Sequence, residues 1–193
     1  MPGLVAGFRA SFTTYTLRPA RTVGCLVAAK EDNGIGSEGP AGELGGSIWD
    51  KPGRWQSLVD GSGCPICLRG HPLGVLVERP TTWITSDARA ATLGYLCVVA
   101  KRHVVEPYEL NATERSTFWE DVLFAAERLA RLLRPQKVNY EIHGNTLAHL
   151  HAHIYARYRG DRFVGGPVDN RLDTVENASL NELRAALDEA SRV

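Results

Sequence analysis

Apolar residues follow a period of two along several short stretches of this chain and a period of three to four along one long stretch. Most of the short stretches are rich in Val, Ile, Thr, Tyr or Trp and are bounded by Gly, Pro or Asn, which predicts β-strands. They lie at residues 75–78, 81–85, 94–103, 137–144 and 148–158.

The long stretch predicts an amphipathic helix over residues 113–134. Asn111 opens this helix as its N-cap, Glu114 completes a capping box, and Pro135 ends it. Because its apolar stripe is wide, we expect the helix to bury more than one side. The stripe and the residues that widen it are Phe118, Trp119, Val122, Leu123, Ala125, Ala126, Leu129, Leu132 and Leu133. A second capping pattern, Ser179 with Glu182, predicts a short C-terminal helix.

These elements predict an α+β domain, with an antiparallel sheet of about five strands, one long helix and a short C-terminal helix. Residues 1–54 differ from the rest, since the stretch at 31–47 is rich in Gly and acidic residues and has few apolar anchors. We interpret residues 1–54 as an N-terminal extension that is flexible or follows from a start codon assigned too early. Residues 55–193 form the predicted domain.

Composition argues against several classes of function. The 193 residues include 22 basic and 22 acidic side chains, and the formal net charge of zero argues against a broad surface for a nucleic acid polymer or an acidic membrane. No apolar run reaches the roughly 20 residues that span a bilayer. We see no signal peptide, so we expect a cytoplasmic protein. In that compartment the four cysteines favour metal binding over a disulfide framework.

Three of the six histidines alternate with apolar residues in AHLHAHIYARY, residues 148–158. On a strand, His149, His151 and His153 would share one face, while the intervening apolar residues pack into the core. A polar strand face that happens to use histidine is one alternative. A pure metal site is another, but neighbouring same-face positions are about 6.6 Å apart, which is long for three histidines to share one zinc ion.

The segment HLHAHIY fits the HφHφHφφ pattern (φ, apolar) and resembles the histidine-triad (HIT) superfamily. GYLCVVAKRHVVEPYEL resembles the strand and turn before the long helix of that family. KVNYEIHGNTLAHLHAHIYARY resembles the paired strands of a zinc-containing branch similar to dinucleoside polyphosphate hydrolases. The resemblance covers about residues 60–165 and implies a HIT-like fold.

The resemblance implies that His151 is a nucleophile that attacks the α-phosphorus of a nucleotide and forms a covalent nucleotidyl-histidine. A neutral imidazole is nucleophilic at pH 7 without a separate deprotonation, provided that its remote N–H is held, here by a backbone carbonyl. His153 would donate to a phosphate oxygen or to the leaving group.

Four further residues are candidates for substrate binding. Asn145 and Thr146 stand where the family contacts phosphates and leaving group, although simple turn formation explains them equally well. Asp87 resembles the acidic residue that holds ribose hydroxyls, and an exposed loop carboxylate is the alternative. Asn139 points from the preceding strand towards a phosphate or is an ordinary sheet side chain.

Cys64 and Cys67 form a C-P-I-C knuckle whose spacing suits tetrahedral zinc. By the resemblance, His103 and His149 complete a Cys2His2 site, and His71 competes with His103 for its place. Four protein ligands close such a site and make it structural. We therefore expect His103→Ala to reduce the folded yield more than His151→Ala, because an exposed nucleophile contributes little to stability.

The resulting functional hypothesis is a nucleotide hydrolase that cleaves a phosphoanhydride or phosphoramidate bond, with a dinucleoside polyphosphate as the first substrate to test. A nucleotidyltransferase or phosphorylase could use the same intermediate. A zinc-stabilised nucleotide-binding module without turnover is a third possibility, against which the presence of His151, His153 and Thr146 argues. The family commonly forms homodimers, and the wide apolar surface of helix 113–134 suits such an interface.

Overall fold

The computed structural model describes residues 47–169, 172 and 174–188. Its main sheet has five antiparallel strands in the order β1-β2-β4-β6-β5. The strands of this sheet are β1 (Val75–Glu78), β2 (Thr82–Thr85), β4 (Tyr95–Ala100), β5 (Lys137–Glu141) and β6 (His151–Arg157). A second sheet pairs β3 (Arg89–Ala90) with β7 (Val175–Glu176). The predicted α+β class and the five-stranded antiparallel sheet are confirmed, whereas two-residue strands are too short for a sequence pattern to reveal.

Four helices accompany the sheets in the described part of the chain: α1 (Pro52–Val59), α2 (Pro65–Arg69), α3 (Ala112–Leu133) and α4 (Leu180–Asp188). Helix α3 begins with the predicted capping box, in which Asn111 accepts from the backbone N–H of Glu114 and Glu114 accepts from that of Asn111. None of the helices in the described ranges is long and apolar enough to cross a membrane.

Helix α3 crosses one face of the sheet and forms the main core with it. Phe118, Val122 and Leu129 are almost fully buried against the apolar side of β4 and β6. Leu150 and Ile154 come from the histidine-rich segment and lie in this same core, as the alternation predicted. Each large apolar side chain buried here stabilises the fold by about 1.5–3 kcal/mol, which fixes β6 with its apolar side inward.

The outer side of α3 is not buried within one chain. Trp119 and Leu123 are 37% and 58% exposed. The expectation that this helix buries more than one side is therefore wrong for these two residues, because no element of the described chain covers them.

A second, smaller core lies on the opposite face of the sheet. Cys97 and Val99 of β4 pack there with Leu58 of α1, and Ile48 and Trp55 lie against them. The segment before Cys64 thus packs on the face of the sheet that carries His151 and His153. The boundary between residues 54 and 55 stays a prediction, and Cys25 and residues 31–46 lie outside the described residues.

The predicted strand 148–158 is too long at its start. β6 begins at His151, and His149 lies in a bend whose backbone N–H donates to the carbonyl of Leu147 at 2.9 Å. The next residue, Leu150, donates to Val104 O at 2.7 Å, which ties the bend to the segment after β4. His149 therefore stands outside the regular alternation that places His151 and His153 on one face.

Candidate active site and metal centre

Two cysteines and two histidines from distant parts of the chain meet beside the sheet. The bend before β6 supplies His149, the segment after β4 supplies His103, and Cys64 and Cys67 flank the first turn of α2. One ligand atom from each of these residues lies within 4.8 Å of all the others. The four predicted metal ligands are thus brought together.

The spacing of these atoms suits a tetrahedral zinc ion. Cys64 Sγ lies 3.4 Å and Cys67 Sγ 3.7 Å from His149 Nδ1, and His103 Nδ1 lies 3.2 Å from both Cys67 Sγ and His149 Nδ1. Zinc with bonds of about 2.0–2.3 Å separates tetrahedral nitrogen and sulfur ligands by about 3.3–3.8 Å. The donor set therefore fits the metal in chemistry, and these four distances fit it in size.

Both imidazoles direct the same nitrogen towards this cluster and tie the other one to the backbone. Nε2–H of His149 donates to Ala100 O at 2.8 Å, and Nε2–H of His103 donates to Val59 O at 2.9 Å. Such bonds leave Nδ1 as the lone-pair nitrogen that a metal requires. Gly61 makes room for the His103 ring, since a Cβ there would lie 3.2 Å from its Cδ2 and the φ of +85° disfavours other residues.

The electrostatics of the cluster also favour binding of a cation. Cys67 is exposed as a residue, yet partial burial of its thiol, followed by the neighbouring Cys64 thiol, raises its pKa to about 11. Burial lowers the pKa of His149 to about 4. Two adjacent thiolates repel each other, and a divalent cation between them removes that penalty. His71, the competing ligand, instead donates from Nδ1 to Pro72 O at 2.8 Å and is not part of the cluster.

His151 begins β6, directly beside the cluster, and its orientation is fixed by the backbone. Its Nδ1–H donates to the carbonyl of His149 at 2.6 Å, as expected for a nucleophilic histidine, which leaves Nε2 as the lone-pair nitrogen. The residue is only 6% exposed, so the description of it as an exposed nucleophile is wrong. Burial is the main reason why its pKa lies below the ordinary value of 6.5.

His153 lies two residues farther along the same face, and its ring centroid is 4.8 Å from that of His151. Its Nδ1 is 3.0 Å from the hydroxyl of Tyr95, which belongs to the neighbouring strand β4. Burial, followed by the nearby imidazoles of His151 and His143, places the pKa of His153 well below 6.5. A neutral ring whose Nδ1 accepts from the Tyr95 hydroxyl carries its proton on Nε2 and can donate it there.

A pocket of about 120 Å³ lies in front of His151. It is smaller than the ~300–1,000 Å³ of sites that enclose a whole drug-sized ligand, so it has room for the reacting group of a substrate rather than for an entire nucleotide. The lining residues come from the turn at residues 48–50, from α1, from the segment after β4, from the β5–β6 turn and from the start of β6. They are Trp49, Trp55, Val105, Glu106, Ile142, His143, Gly144, Asn145, His149, Leu150 and His151.

Comparison with known proteins bears on the fold that carries these residues. Residues 70–160 match the family model of the HIT domain. No curated protein matches the chain significantly. Among solved structures, a histidine triad protein from Bradyrhizobium japonicum is 21% identical with a TM-score of 0.54, over 60% of this chain and 87% of its own. One from Marinobacter aquaeolei is 22% identical with a TM-score of 0.53, over 60% and 88%.

A zinc-bound histidine triad family protein from Mycobacterium smegmatis is also similar. It is 22% identical with a TM-score of 0.50, and the match covers 71% of this chain and 94% of that chain. At these identities the likeness shows the fold, so residues 70–160 adopt the fold of a HIT domain.

The four candidate substrate residues are placed unequally around this domain. Asn145 lines the pocket, and Thr146 is exposed next to it. Asn139 pairs with Tyr155 of β6 and so lies on the histidine face. Asp87 lies beyond the end of β2, outside the pocket lining, where its carboxylate accepts from the Arg89 N–H at 3.4 Å.

Other residues of the site were missed by the sequence interpretation. Tyr95 contacts His153 only because β4 and β6 pair in a register that places Cys97 opposite His153. Trp49 and Trp55, whose rings meet edge to face at 6.0 Å, wall the pocket from a segment before the matched HIT domain. No local pattern marks these three residues, since each reaches the site through a contact between distant parts of the chain.

Proposed function

We propose that this protein is a HIT-type nucleotide hydrolase in which His151 attacks the α-phosphorus of a nucleotide. HIT proteins are generally nucleotide hydrolases or transferases, which agrees with the domain match and the fold. The observation that carries the proposal is the hydrogen bond from His151 Nδ1 to His149 O, because it aims a neutral, lone-pair Nε2 away from its own strand. Burial keeps this ring neutral and therefore nucleophilic at pH 7.

In the first step, Nε2 of His151 forms a bond to phosphorus while the bond from phosphorus to the leaving group breaks. His153 lies beside it and keeps its proton on Nε2, from which it donates a hydrogen bond to the leaving group or to a phosphate oxygen and so stabilises the charge that develops there. The Tyr95 hydroxyl fixes this orientation of His153. The product is a nucleotidyl-His151 intermediate, in which Nδ1–H still donates to the backbone.

In the second step, water attacks phosphorus and releases a nucleoside monophosphate. Dinucleoside polyphosphates are the first substrates to test, and phosphoramidates the second. Asn145 and Thr146 are the proposed contacts to the phosphates and leaving group, because they form the turn beside His151. We assign Asn139 to a phosphate and Asp87 to the ribose hydroxyls, the latter from outside the small pocket.

The cluster of Cys64, Cys67, His103 and His149 would hold a structural zinc ion. It would pin the first turn of α2 and the His103 segment to the bend that leads into His151, and thereby support the nucleophile without taking part in the reaction. Elemental analysis of protein purified without chelator tests this assignment. A content below about a tenth of an equivalent would contradict it.

We further propose that the protein is a cytoplasmic homodimer. The exposed apolar side chains Trp119 and Leu123 of α3 and Tyr140 and Ile142 near the edge strand β5 favour a protein partner over solvent. Sedimentation of the wild type and of Leu123→Glu tests the dimer, since a charge at a dimer interface should produce monomers.

Covalent labelling tests the enzymatic proposal. Wild-type protein is incubated with phosphorus-labelled diadenosine polyphosphate and, separately, adenosine phosphoramidate, and acid-labile label on the protein and release of AMP are measured. We expect both signals from the wild type and neither from His151→Gln. Absence of label and turnover in the wild type with both probes would show that the hydrolase proposal is wrong.

The same experiment separates hydrolysis from nucleotidyl transfer. A transferase would form the label normally but release it faster when inorganic phosphate or a sugar phosphate is added. Release at the same rate with and without these acceptors supports hydrolysis.

A further inference from the structure

The end of β5 and the turn after it carry a carboxylate–histidine pair beside the pocket. Nε2 of His143 lies 2.9 Å from Oε2 of Glu141, and Oε1 of the same carboxylate accepts from the backbone N–H of Val168 at 2.9 Å. The Glu141 side chain is 8% exposed and that of His143 is 42% exposed. A buried, fully bonded carboxylate thus holds an accessible imidazole.

This contact determines which nitrogen of His143 can accept a proton. An ionised carboxylate only accepts hydrogen bonds, so the proton of a neutral His143 resides on Nε2, between the ring and Glu141. Nδ1 is then the lone-pair nitrogen. A base oriented by a third group in this way is the arrangement that activates hydroxyl or water nucleophiles in many enzymes.

The position of His143 connects the pair to the proposed reaction. His143 lines the same small pocket as His151 and Asn145, and its ring centroid is 5.8 Å from that of His153. Besides His143 and His151, the titratable side chain that lines the pocket outside the metal cluster is Glu106, an exposed residue of the segment between β4 and α3. His151 and His153 already have assigned roles in the first step, so neither is needed as the base of the second.

We propose that the Glu141–His143 pair is the general base that activates the water of the second step and makes this site a hydrolase. The inference rests on the proposed function, since it requires the nucleotidyl-His151 intermediate. It goes beyond that function because it names the residues that activate the attacking water.

The step balances as follows. Nδ1 of His143 takes a proton from water while the water oxygen bonds to phosphorus, and the bond from phosphorus to Nε2 of His151 breaks. Its electron pair returns to Nε2, which restores neutral His151. His143 becomes an imidazolium stabilised by Glu141 and then releases its proton to solvent with the departure of the nucleoside monophosphate.

Rapid-quench kinetics test this role with the two labelled probes, using wild type, His143→Leu, Glu141→Gln and His71→Leu. The last is a matched control, because His71 is an exposed histidine that bonds only to a backbone carbonyl away from the pocket. We expect His143→Leu to label at the wild-type rate but to lose label by water roughly 10²-fold more slowly, within the range for loss of a general base. Glu141→Gln should show a smaller loss, and His71→Leu none.

A second acceptor of the nucleotidyl group distinguishes a catalytic role of His143 from a purely structural one. Hydroxylamine is a neutral nucleophile near pH 7 and needs no base, so it should remove the label from His143→Leu and from the wild type at similar rates. Equal loss of label by water in His143→Leu and wild type would overturn the inference while leaving the hydrolase proposal intact. A His143→Leu protein that forms label more slowly and is not rescued by hydroxylamine would also overturn it, in favour of a structural role. Absence of label in the wild type would remove both proposals.

Discussion

His149 and His151 are two residues apart, and each ties one ring nitrogen to a backbone carbonyl, yet they tie opposite nitrogens. His149 donates from Nε2 to Ala100 and presents Nδ1 to two cysteines and a histidine. His151 donates from Nδ1 to His149 and leaves Nε2 for the pocket. The choice of nitrogen, rather than the residue type, separates the candidate metal ligand from the candidate nucleophile.

The two imidazoles also differ in whether another molecule can reach them. The cysteine–histidine cluster offers four protein side chains, which would fill every position around a tetrahedral ion. In the described part of the chain, the His151 ring is hydrogen-bonded to one backbone carbonyl and borders a pocket. We therefore expect changes in the cluster to act on stability and changes around His151 to act on chemistry.

The test with the largest expected effect substitutes one residue of the metal cluster and, separately, the candidate nucleophile. His103→Ala should lose metal and lower the melting temperature by about 10 °C or more, because the free energy of metal binding is also free energy of folding. His151→Gln should keep the melting temperature within a few degrees, since the amide can still donate to the His149 carbonyl, but reduce kcat/KM by about 10³-fold or more. Calorimetry, zinc content and AMP release measure the two effects.

Comparable melting temperatures for the two variants would contradict the separation. Gln is preferred to Ala at position 151 because this residue is buried, so truncation would confuse loss of packing with loss of the nucleophile.

A second test uses the pH dependence of stability on the histidine face. Burial holds the pKa of His153 in the folded state well below 6.5, so the unfolded chain binds this proton more readily. Its contribution to stability is complete above pH 6.5 and is lost as the pH falls below that value, by up to about 1.4 kcal/mol per pH unit. The titratable groups that face it are Tyr95, Cys97, Glu141, His143, His151 and Tyr155.

Urea titrations between pH 7 and the acid limb measure this slope. His153→Gln should flatten it by about one proton relative to the wild type. Parallel slopes in the two proteins would mean that His153 is not the buried neutral group inferred here.

A smaller effect is expected from Tyr95→Phe. The change removes the hydroxyl that contacts Nδ1 of His153 and leaves the ring stacked on Tyr155, so stability should fall by only about 1 kcal/mol. The rate of nucleotidyl-enzyme formation should fall about tenfold, because His153 is no longer held in the tautomer that donates from Nε2. A chemical rate that is unchanged while stability falls would limit Tyr95 to a packing role.

The smallest expected effect comes from the aromatic wall of the pocket. Trp49 is 57% exposed and should contact the substrate without supporting the core, so Trp49→Ala should raise KM a few-fold at nearly constant kcat and melting temperature. Tyr108→Ala is a matched control, since Tyr108 is exposed but not part of the pocket lining. Equal KM values for Trp49→Ala and the wild type would remove Trp49 from the site.

The sequence predicted well those features that depend on residues close together in the chain. The capping box of Asn111 and Glu114 places the start of α3 to within one residue, because the bonds that form it involve residues three apart. The alternation of Leu150, Ala152 and Ile154 with the histidines correctly assigned the buried side of β6. The bend at His149 was not foreseen, since it depends on a hydrogen bond between Leu150 and Val104, 46 positions apart.

The amino-acid sequence by itself determined the fold class, the apolar face of each main element and the Cys64–Cys67 pair of the cysteine–histidine cluster. Periodicity and the C-x-x-C spacing carry that information because both are written in short segments, whereas His103 and His149 were assigned to the cluster by the resemblance of longer segments to a family. Tertiary structure alone decided which imidazole nitrogen is tied to the backbone, that Tyr95 reaches His153, and that two tryptophans and a Glu141–His143 pair flank the pocket. Those features depend on strand register and on contacts between distant segments, which form only when the apolar surfaces are buried together.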